Sequence, residues 1–566
     1  MKTTDVALPE ELRSAVAEAE ELVTSLGRLS VAAGAAGGAT LSLQRRIRHH
    51  VVRPLRAALD RLGPPSDHGT ATAAAAQQDD DTEPRLWALA QRVAGLLTRP
   101  NAPFEVVLAA ATLEDIASRP GLNSEAAPDA GRVAALRALH DALPASIVPA
   151  ANGPLVVTNV RNLSSWLGEP FPATPVIALC RCGASALKPR CDSACAENGF
   201  SDAKDPKRVP DKLDEYMGRH LVLNDNRGTC AHSGFCSDRL PAAFRVAAEP
   251  FVAIGGGRLD ELIHVVRACP SGALAAALAA GPSVTDTARD PAIEVSRNGP
   301  YRVTGGIPLV DDRGDPVPRN QHASLEHYSL CRCGHSRNKP FCSGMHWYVD
   351  FVDPPISTEP TVFEWAGGLP AMRRLTRVFY ERYVPEDDLL APLLRDLAPD
   401  HAERMAAWYA EVFGGPGRDG GVPGAGMPAT PGPGAPNPAP FSEAQRERWV
   451  DLMERAADVA SLPPEPEFRS TLSAFFDWTS RVNAGSRPGV EPIGQTPVPS
   501  WGWGPAGAPQ LAATASEPAA EVAIPDASTP VSFAEHIRAL FREKDRASML
   551  FAFDLWAYAD VAANAD

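Results

Sequence analysis

The chain has 566 residues and a formal charge of −15 at neutral pH. That length exceeds what one core fills, so several domains are expected, and the acidic balance removes the electrostatic basis for nucleic-acid binding. No uninterrupted apolar run reaches about 18 residues, and the opening MKTTDVALPEEL lacks the basic-then-apolar pattern of a secretory signal, so a cytoplasmic chain without a membrane partner is expected.

Residues 1–147 read as a helical domain. ELRSAVAEAEELVTSL, LQRRIRHHVVRPLRAALDRLG, PRLWALAQRVAGLLT and GRVAALRALHDAL all repeat apolar residues at three-to-four spacing. SDHGTATAAAAQQDDDTEP is a low-complexity break between them. The adjacent His49 and His50 are read as a solvated helix face, with metal binding as the alternative.

Residues 148–352 change character. GPLVVTNV, PVIALC, HLVLND, PFVAI, AIEVS and GPYRVTG are strand-like runs between glycines and prolines. NGPLVVT at 152–158 returns as NGPYRVT at 298–304, and each precedes a cysteine-rich stretch. One β-rich unit therefore occurs twice, at 148–205 (unit 1) and 290–352 (unit 2).

All ten cysteines lie in this third of the chain, in groups of four, three and three. A disulfide framework would scatter them; tight groups at ligand spacing point to metal. CRCGASALKPRCDSAC at 180–195 and CRCGHSRNKPFCSGMH at 331–346 share one spacing. Alternate residues of an extended chain point the same way, so Cys-x-Cys suits two thiolates gripping one iron of a flat two-iron cluster. Gly183 and Pro189, or Gly334 and Pro340, then turn the loop toward the last two ligands; zinc is the alternative metal.

This spacing resembles the CDGSH iron–sulfur family, C-x-C-x2-S/T-x3-P-x-C-D-G-x-H. Unit 2 matches at Cys331, Cys333, Ser336, Pro340, Cys342, Gly344 and His346, with Ser343 in place of Asp. Unit 1 matches at Cys180, Cys182, Ser185, Pro189, Cys191 and Asp192, with Ser193 in place of Gly and Cys195 in place of His. The resemblance implies a 2Fe-2S cluster in each, held by three cysteines and His346 in unit 2. For unit 1 the reading is four-cysteine ligation through Cys195; a lost site with a chance cysteine is the alternative.

Residues 220–282 carry Cys230, Cys236 and Cys269, the last followed by Pro270. The pattern resembles small single-cluster bacterial ferredoxins, with Ser233 at the middle ligand position. It implies a 3Fe-4S cluster, or a 4Fe-4S cluster whose fourth iron takes Ser233, His232 or water. His232 is read as a core or surface residue.

Residues 360–485 return to helical periodicity, broken by the Gly/Pro-rich 417–440. Phe379, Tyr380 and Trp449 resemble the aromatic positions of truncated globins. A haem globin needs a proximal histidine, but none occurs from 402 to 535, and His401 is distal at best. A haem-free globin-like scaffold is expected, with Tyr380 and Trp449 as core aromatics. Residues 486–530 read as a Pro/Ala-rich linker and 531–566 as an amphipathic helical tail with His536 on its surface.

The expected fold is multidomain α+β: an N-terminal helical domain, β-rich units flanking a small ferredoxin-like unit, then an all-α globin-like domain. The heavy use of Ala, Pro and Arg suggests a GC-rich bacterial genome. The expected function is electron transfer by a non-enzymatic carrier with a redox partner protein. A redox or iron sensor, or a cluster-transfer protein, losing its cluster at an exposed His346 site is the second reading. A globin-type oxygen or nitric-oxide enzyme is set aside for want of a proximal histidine. No Ser-His-Asp, phosphate-loop or paired-carboxylate signature supplies a catalytic set.

Overall fold

The computed structural model describes residues 7–33, 38–62, 82–99, 102–121, 126–415 (save 247, 280, 282, 350, 354–358 and 395–396), 441–483 and 501–503. It is a mixed α/β chain: helical at the N-terminal end, sheeted in the middle, helical again after 360. The break at 417–440, the tail at 531–566 with His536, and the linker apart from 501–503 lie outside the described residues.

Six helices open the chain: α1 (Ala7–Ala33), α2 (Gly38–Ile47), α3 (Arg53–Leu62), α4 (Thr82–Leu96), α5 (Phe104–Ala117) and α6 (Ala130–His140). Leu12, Leu22, Ile47, Val51, Leu55, Leu89 and Val93 form their common core. The helix α5 is the central one, buried almost throughout from Val106 to Ala117. The same core runs on without a break over Val156, Val176 and Ala178 and onto Cys180, Cys182, Cys191 and Cys195. The helices thus roof the first cysteine loop.

A buried carboxylate pins that roof down. Asp115 accepts from Arg46 at 2.6 Å and Arg119 at 2.8 Å on the helices, and from Arg190 at 3.2 Å in the cysteine loop. Burial opposes ionisation of Asp115, but the three guanidiniums outweigh it and hold the carboxyl well below the usual range.

Between the helical regions lie β1 (Ser146–Pro149), β2 (Leu155–Thr158), β3 (Asn162–Ser165), β4 (Val176–Leu179), β5 (Leu213–Met217), β6 (Leu221–Asn226), α7 (Phe235–Arg239), α8 (Leu259–Ala268), β7 (Leu274–Leu278), β8 (Ala292–Val295), β9 (Tyr301–Thr304) and β10 (Tyr328–Leu330). They make three sheets, β1-β2-β4, β10-β9-β8-β3 and β5-β6-β7. Strand β3 leaves unit 1 and pairs in parallel with β8 of unit 2, Asn162 opposite Ala292. The exchange is returned where Leu309 pairs in parallel with Ile147. The two repeats therefore share one core, with Ile147, Leu155, Leu163 and Ile177 packed among Ile293, Tyr301, Leu309 and Phe341. Residues 213–278 form an antiparallel sheet covered by α7 and α8 around Leu223, Phe244, Leu262, Val266 and Leu274.

The last region holds α9 (Val362–Ala366), α10 (Gly368–Arg377), α11 (Val384–Glu386), α12 (Ala391–Leu394), α13 (His401–Val412), α14 (Glu443–Val459) and α15 (Pro466–Asn483). Capping boxes start two of them: Thr361 with Glu364 on α9, Ser442 with Gln445 on α14. Arg455 pairs with Glu261 of α8 at 2.7 Å, and Glu467 with Arg302 of β9 at 2.9 Å, so this bundle leans on the middle sheet and on unit 2. Of the stretch read as a Pro/Ala-rich linker, residues 501–503 are described. Trp501 is buried against Phe475 and Trp478 and donates its backbone N–H to Val412 O at 2.8 Å.

Candidate metal centres

Both cysteine loops are built on one plan. The residue between the paired cysteines is an arginine, Arg181 or Arg332, and each is almost wholly buried. Arg181 Nε donates to Gly153 O at 2.7 Å, and Arg332 Nε to Gly299 O at 2.8 Å. Each is neutralised by an aspartate after its loop, Asp202 or Asp353. Each arginine thus ties its loop to its own NGP turn. Ser185 and Ser336 cross-brace the loop by donating to Arg190 O and Phe341 O. In unit 1, Asp192 accepts from Ala186 N at 3.0 Å; in unit 2, Ser343 does the same work from Arg337 N at 3.0 Å.

The loops meet back to back. Cys182 and Cys333 are antiparallel backbone partners. Gly183 and Gly334 both hold positive φ, and a Cβ on either would stand 2.4 Å from the carbonyl oxygen of the opposite cysteine. Glycine is required at both places by conformation and by space.

Within unit 1, Cys180 and Cys182 Sγ are 3.6 Å apart, and Cys191 and Cys195 Sγ 3.9 Å. In unit 2, Cys331 and Cys333 Sγ are 3.9 Å apart, and Cys342 Sγ lies 3.5 Å from His346 Nδ1. Two ligands on one tetrahedral metal stand about 3.8 Å apart, so both donor sets fit. The thiols behave as pairs. The hydrogen bond between Cys180 and Cys182 pushes the first up and the second down; that between Cys331 and Cys333 holds Cys331 near 6 and pushes Cys333 up. Thiols this close hinder each other's ionisation, and a bound cation would relieve that. Burial, then Arg302, Arg332 and His232, lower His346 to about 4, which keeps a free lone pair on the ring at neutral pH.

His346 was expected to be exposed. It is buried, while the neighbouring Trp347 and Tyr348 are exposed. The short helix start that carries it turns the ring inward onto Cys342.

Cys230, Cys236 and Cys269 pack around one apolar core. Burial pushes the Cys230 thiol up to about 12, with the charge of Cys269 adding to it, and burial also raises Cys236, with Cys230 and Cys269 adding to it. His232 N donates to Cys230 Sγ at 3.3 Å. Ser233 Oγ accepts from Phe235 N at 3.5 Å, just before α7. The His232 side chain lies against unit 2: a Cβ on Gly344 would meet its Cβ at 2.8 Å. Asn338 of the second cysteine loop donates to Gly228 O at 2.8 Å, so the middle segment roofs unit 2.

Residues 152–194 and 298–347 match the family described as iron-binding zinc finger, CDGSH type. Residues 216–278 match a divergent 4Fe-4S mono-cluster family. Two CDGSH-type units flank a divergent 4Fe-4S unit. CDGSH units bind 2Fe-2S clusters, and the middle match points to a 4Fe-4S cluster, so the chain is an iron–sulfur protein. No curated protein and no solved structure matches the chain. Among the described residues no helix is long and apolar enough to cross a membrane.

One residue at the first CDGSH-type unit was misread from sequence. His50 is not on a solvated face. It is buried, and its Nε2 lies 3.8 Å from Cys195 Sγ. It sits in a π-helical turn, Arg48–Val52, between α2 and α3, on the face that also carries the buried Leu43, Ile47, Val51 and Leu55. His49 goes the other way and meets Glu197 at 3.0 Å. Burial, then Arg46 and His49, push His50 down to about 3.

Proposed function

We propose that the chain is an electron-transfer protein holding two 2Fe-2S clusters and one 4Fe-4S or 3Fe-4S cluster. The ligands are Cys180, Cys182, Cys191 and Cys195 in unit 1; Cys331, Cys333, Cys342 and His346 in unit 2; and Cys230, Cys236 and Cys269 between them. Bound clusters of these kinds exchange single electrons. The observation that carries the reading is contiguity: the two CDGSH-type loops pair at Cys182 and Cys333, and the middle cysteine loop rests on Gly344. Arg181 and Arg332, each buried and paired with an aspartate, hold both loops without a mobile part. The exposed Trp347 and Tyr348 beside His346 offer a redox partner protein an apolar edge.

The test is an iron and acid-labile sulfide count on anaerobically reconstituted protein, with EPR of the oxidised and reduced forms. Well over four irons per chain is expected, about two from each CDGSH-type unit plus three or four from the middle. Four or fewer would remove the middle cluster. Repeated reduction and reoxidation should leave the count unchanged; iron released at each cycle would favour a sensor or cluster donor instead, against which the burial of His346 speaks.

We read the C-terminal helices as a globin-like scaffold without haem. Its interior is filled by Phe379, Trp408, Tyr409, Trp449, Phe475 and Phe476, and His401 packs edge-on against Tyr380 at 4.6 Å. Haem titrated into the protein should give no saturable one-to-one complex with a histidine-type spectrum.

A further inference from the structure

The departure at position 195 leaves unit 1 without the histidine of its motif, yet a histidine stands beside that position. His50 comes from the π turn of the N-terminal helical region, 145 residues away in sequence. Its Nε2 and the sulfurs of Cys191 and Cys195 all lie within 4.8 Å of one another, and all three residues are buried. Nε2 is 3.8 Å from Cys195 Sγ, the spacing of two ligands on one tetrahedral metal. Among the described residues nothing else claims the ring. Its Nδ1 is buried without a hydrogen-bond partner among the described residues. The flanking side chains fix the helix in place: Arg45 reaches Asp192 and Arg46 holds Asp115.

A two-iron cluster offers its second iron only two protein positions, and Cys191 takes one. We propose that His50 is a second ligand for the position Cys195 serves, so that unit 1 accepts either four cysteines or three cysteines and this histidine. The helical region then supplies in space the residue type that the motif has lost in sequence. This rests on the iron–sulfur reading above and goes beyond it.

The test uses the full-length chain and begins with the iron count of the native protein. A native chain lacking the unit-1 cluster fails the iron–sulfur reading itself; the variants address His50. Cys195→Ala is expected to keep the native iron count. In a His346→Cys background, where unit 2 has no histidine ligand, Cys195→Ala should show a directly bound histidine nitrogen by pulsed EPR. Cys195→Ala with His50→Leu should lose about two irons per chain while the unit-2 signal stays. His50→Leu alone should keep full iron through Cys195 and an unchanged far-ultraviolet circular dichroism, which separates ligation from folding. Loss of iron from Cys195→Ala alone, retention of iron in the double variant, absence of the nitrogen signature, or iron loss from His50→Leu alone each overturns the proposal.

Discussion

The two CDGSH-type units share a loop plan and differ in what covers it. Unit 1 lies under the N-terminal helices, and unit 2 lies under the middle cysteine segment. Departures between the two sequences at three non-ligand positions go with the cover. Before the third cysteine, unit 1 has Arg190, which reaches up to Asp115 of α5; unit 2 has Phe341, which sinks into the shared β core. After it, Asp192 is met by Arg45 of α2, while Ser343 serves only its own loop. At the motif glycine, Gly344 leaves room for His232, while unit 1 places Ser193. A repeated motif can thus keep its metal chemistry while its non-ligand positions are rewritten for different neighbours.

The largest effect should come from breaking the helical roof. Asp115→Ala strands Arg46, Arg119 and Arg190 in a buried site without their carboxylate, a loss of about 3–5 kcal/mol. Unit 1 should lose its cluster while unit 2 keeps its own, as read by iron count and by the separate EPR signals. Equal loss from both units would mean that the roof is not specific to unit 1.

Next is the seam that the units share. Gly183→Ala forces a Cβ to within 2.4 Å of the Cys333 carbonyl at a positive φ. Left-handed strain and overpacking together cost about 2–5 kcal/mol. Because the obstructed atom belongs to the other unit, both clusters should be weakened by one substitution. An effect confined to unit 1 would show that the loops fold independently.

The third contrast is electronic. Thiolate puts more negative charge on iron than neutral imidazole does, so unit 2 should have the higher potential. Cys195→His should raise the unit-1 potential and His346→Cys lower that of unit 2, each by on the order of 100 mV. Acid should separate them too. The His346 ring is lowered to about 4 from an ordinary 6.5. Between those values the unfolded chain takes up a proton that the folded ring refuses, so the stability present above pH 6.5 is lost as pH falls toward 4. A proton also competes with iron for Nδ1. Spectroscopic titration should show unit 2 failing first, with His346→Cys removing the difference. Native units that titrate together at one potential would end the idea of a gradient.

The two CDGSH-type loops were legible because metal chemistry fixes spacing locally. Cys-x-Cys, the turn and the third cysteine lie within sixteen residues, and the NGP repeat marked the duplication. What escaped was long-range. His50 meets Cys195 across 145 residues, a pairing that no local spacing reveals. The strand exchange between β3 and β8 has no sequence signature, because a strand pairs through its backbone whichever unit it belongs to. Arg181 and Arg332 were overlooked for another reason: arginine is seldom fully buried, and only its carbonyl partners and Asp202 or Asp353 make that tolerable. The signal was present in the recurrence of CRC in both copies.

The smallest effect tests whether the cover dictates position 193. Ser193 holds a φ of 71°, in the left-handed region, and its buried Oγ has no hydrogen-bond partner among the described residues. Left-handed strain costs about 1–2 kcal/mol, and an unpaired buried hydroxyl adds to it. Glycine would relieve both, less about 0.5–1 kcal/mol for its greater freedom in the unfolded chain. Ser193→Gly should therefore stabilise unit 1 by about 1 kcal/mol, read as a higher denaturant midpoint at unchanged slope with the unit-2 signal unmoved. At Gly344 the same geometry admits no side chain, since His232 occupies the space. A destabilised Ser193→Gly chain would mean that the serine hydroxyl has a partner in unit 1, and that position 193 answers to the site and not to its cover.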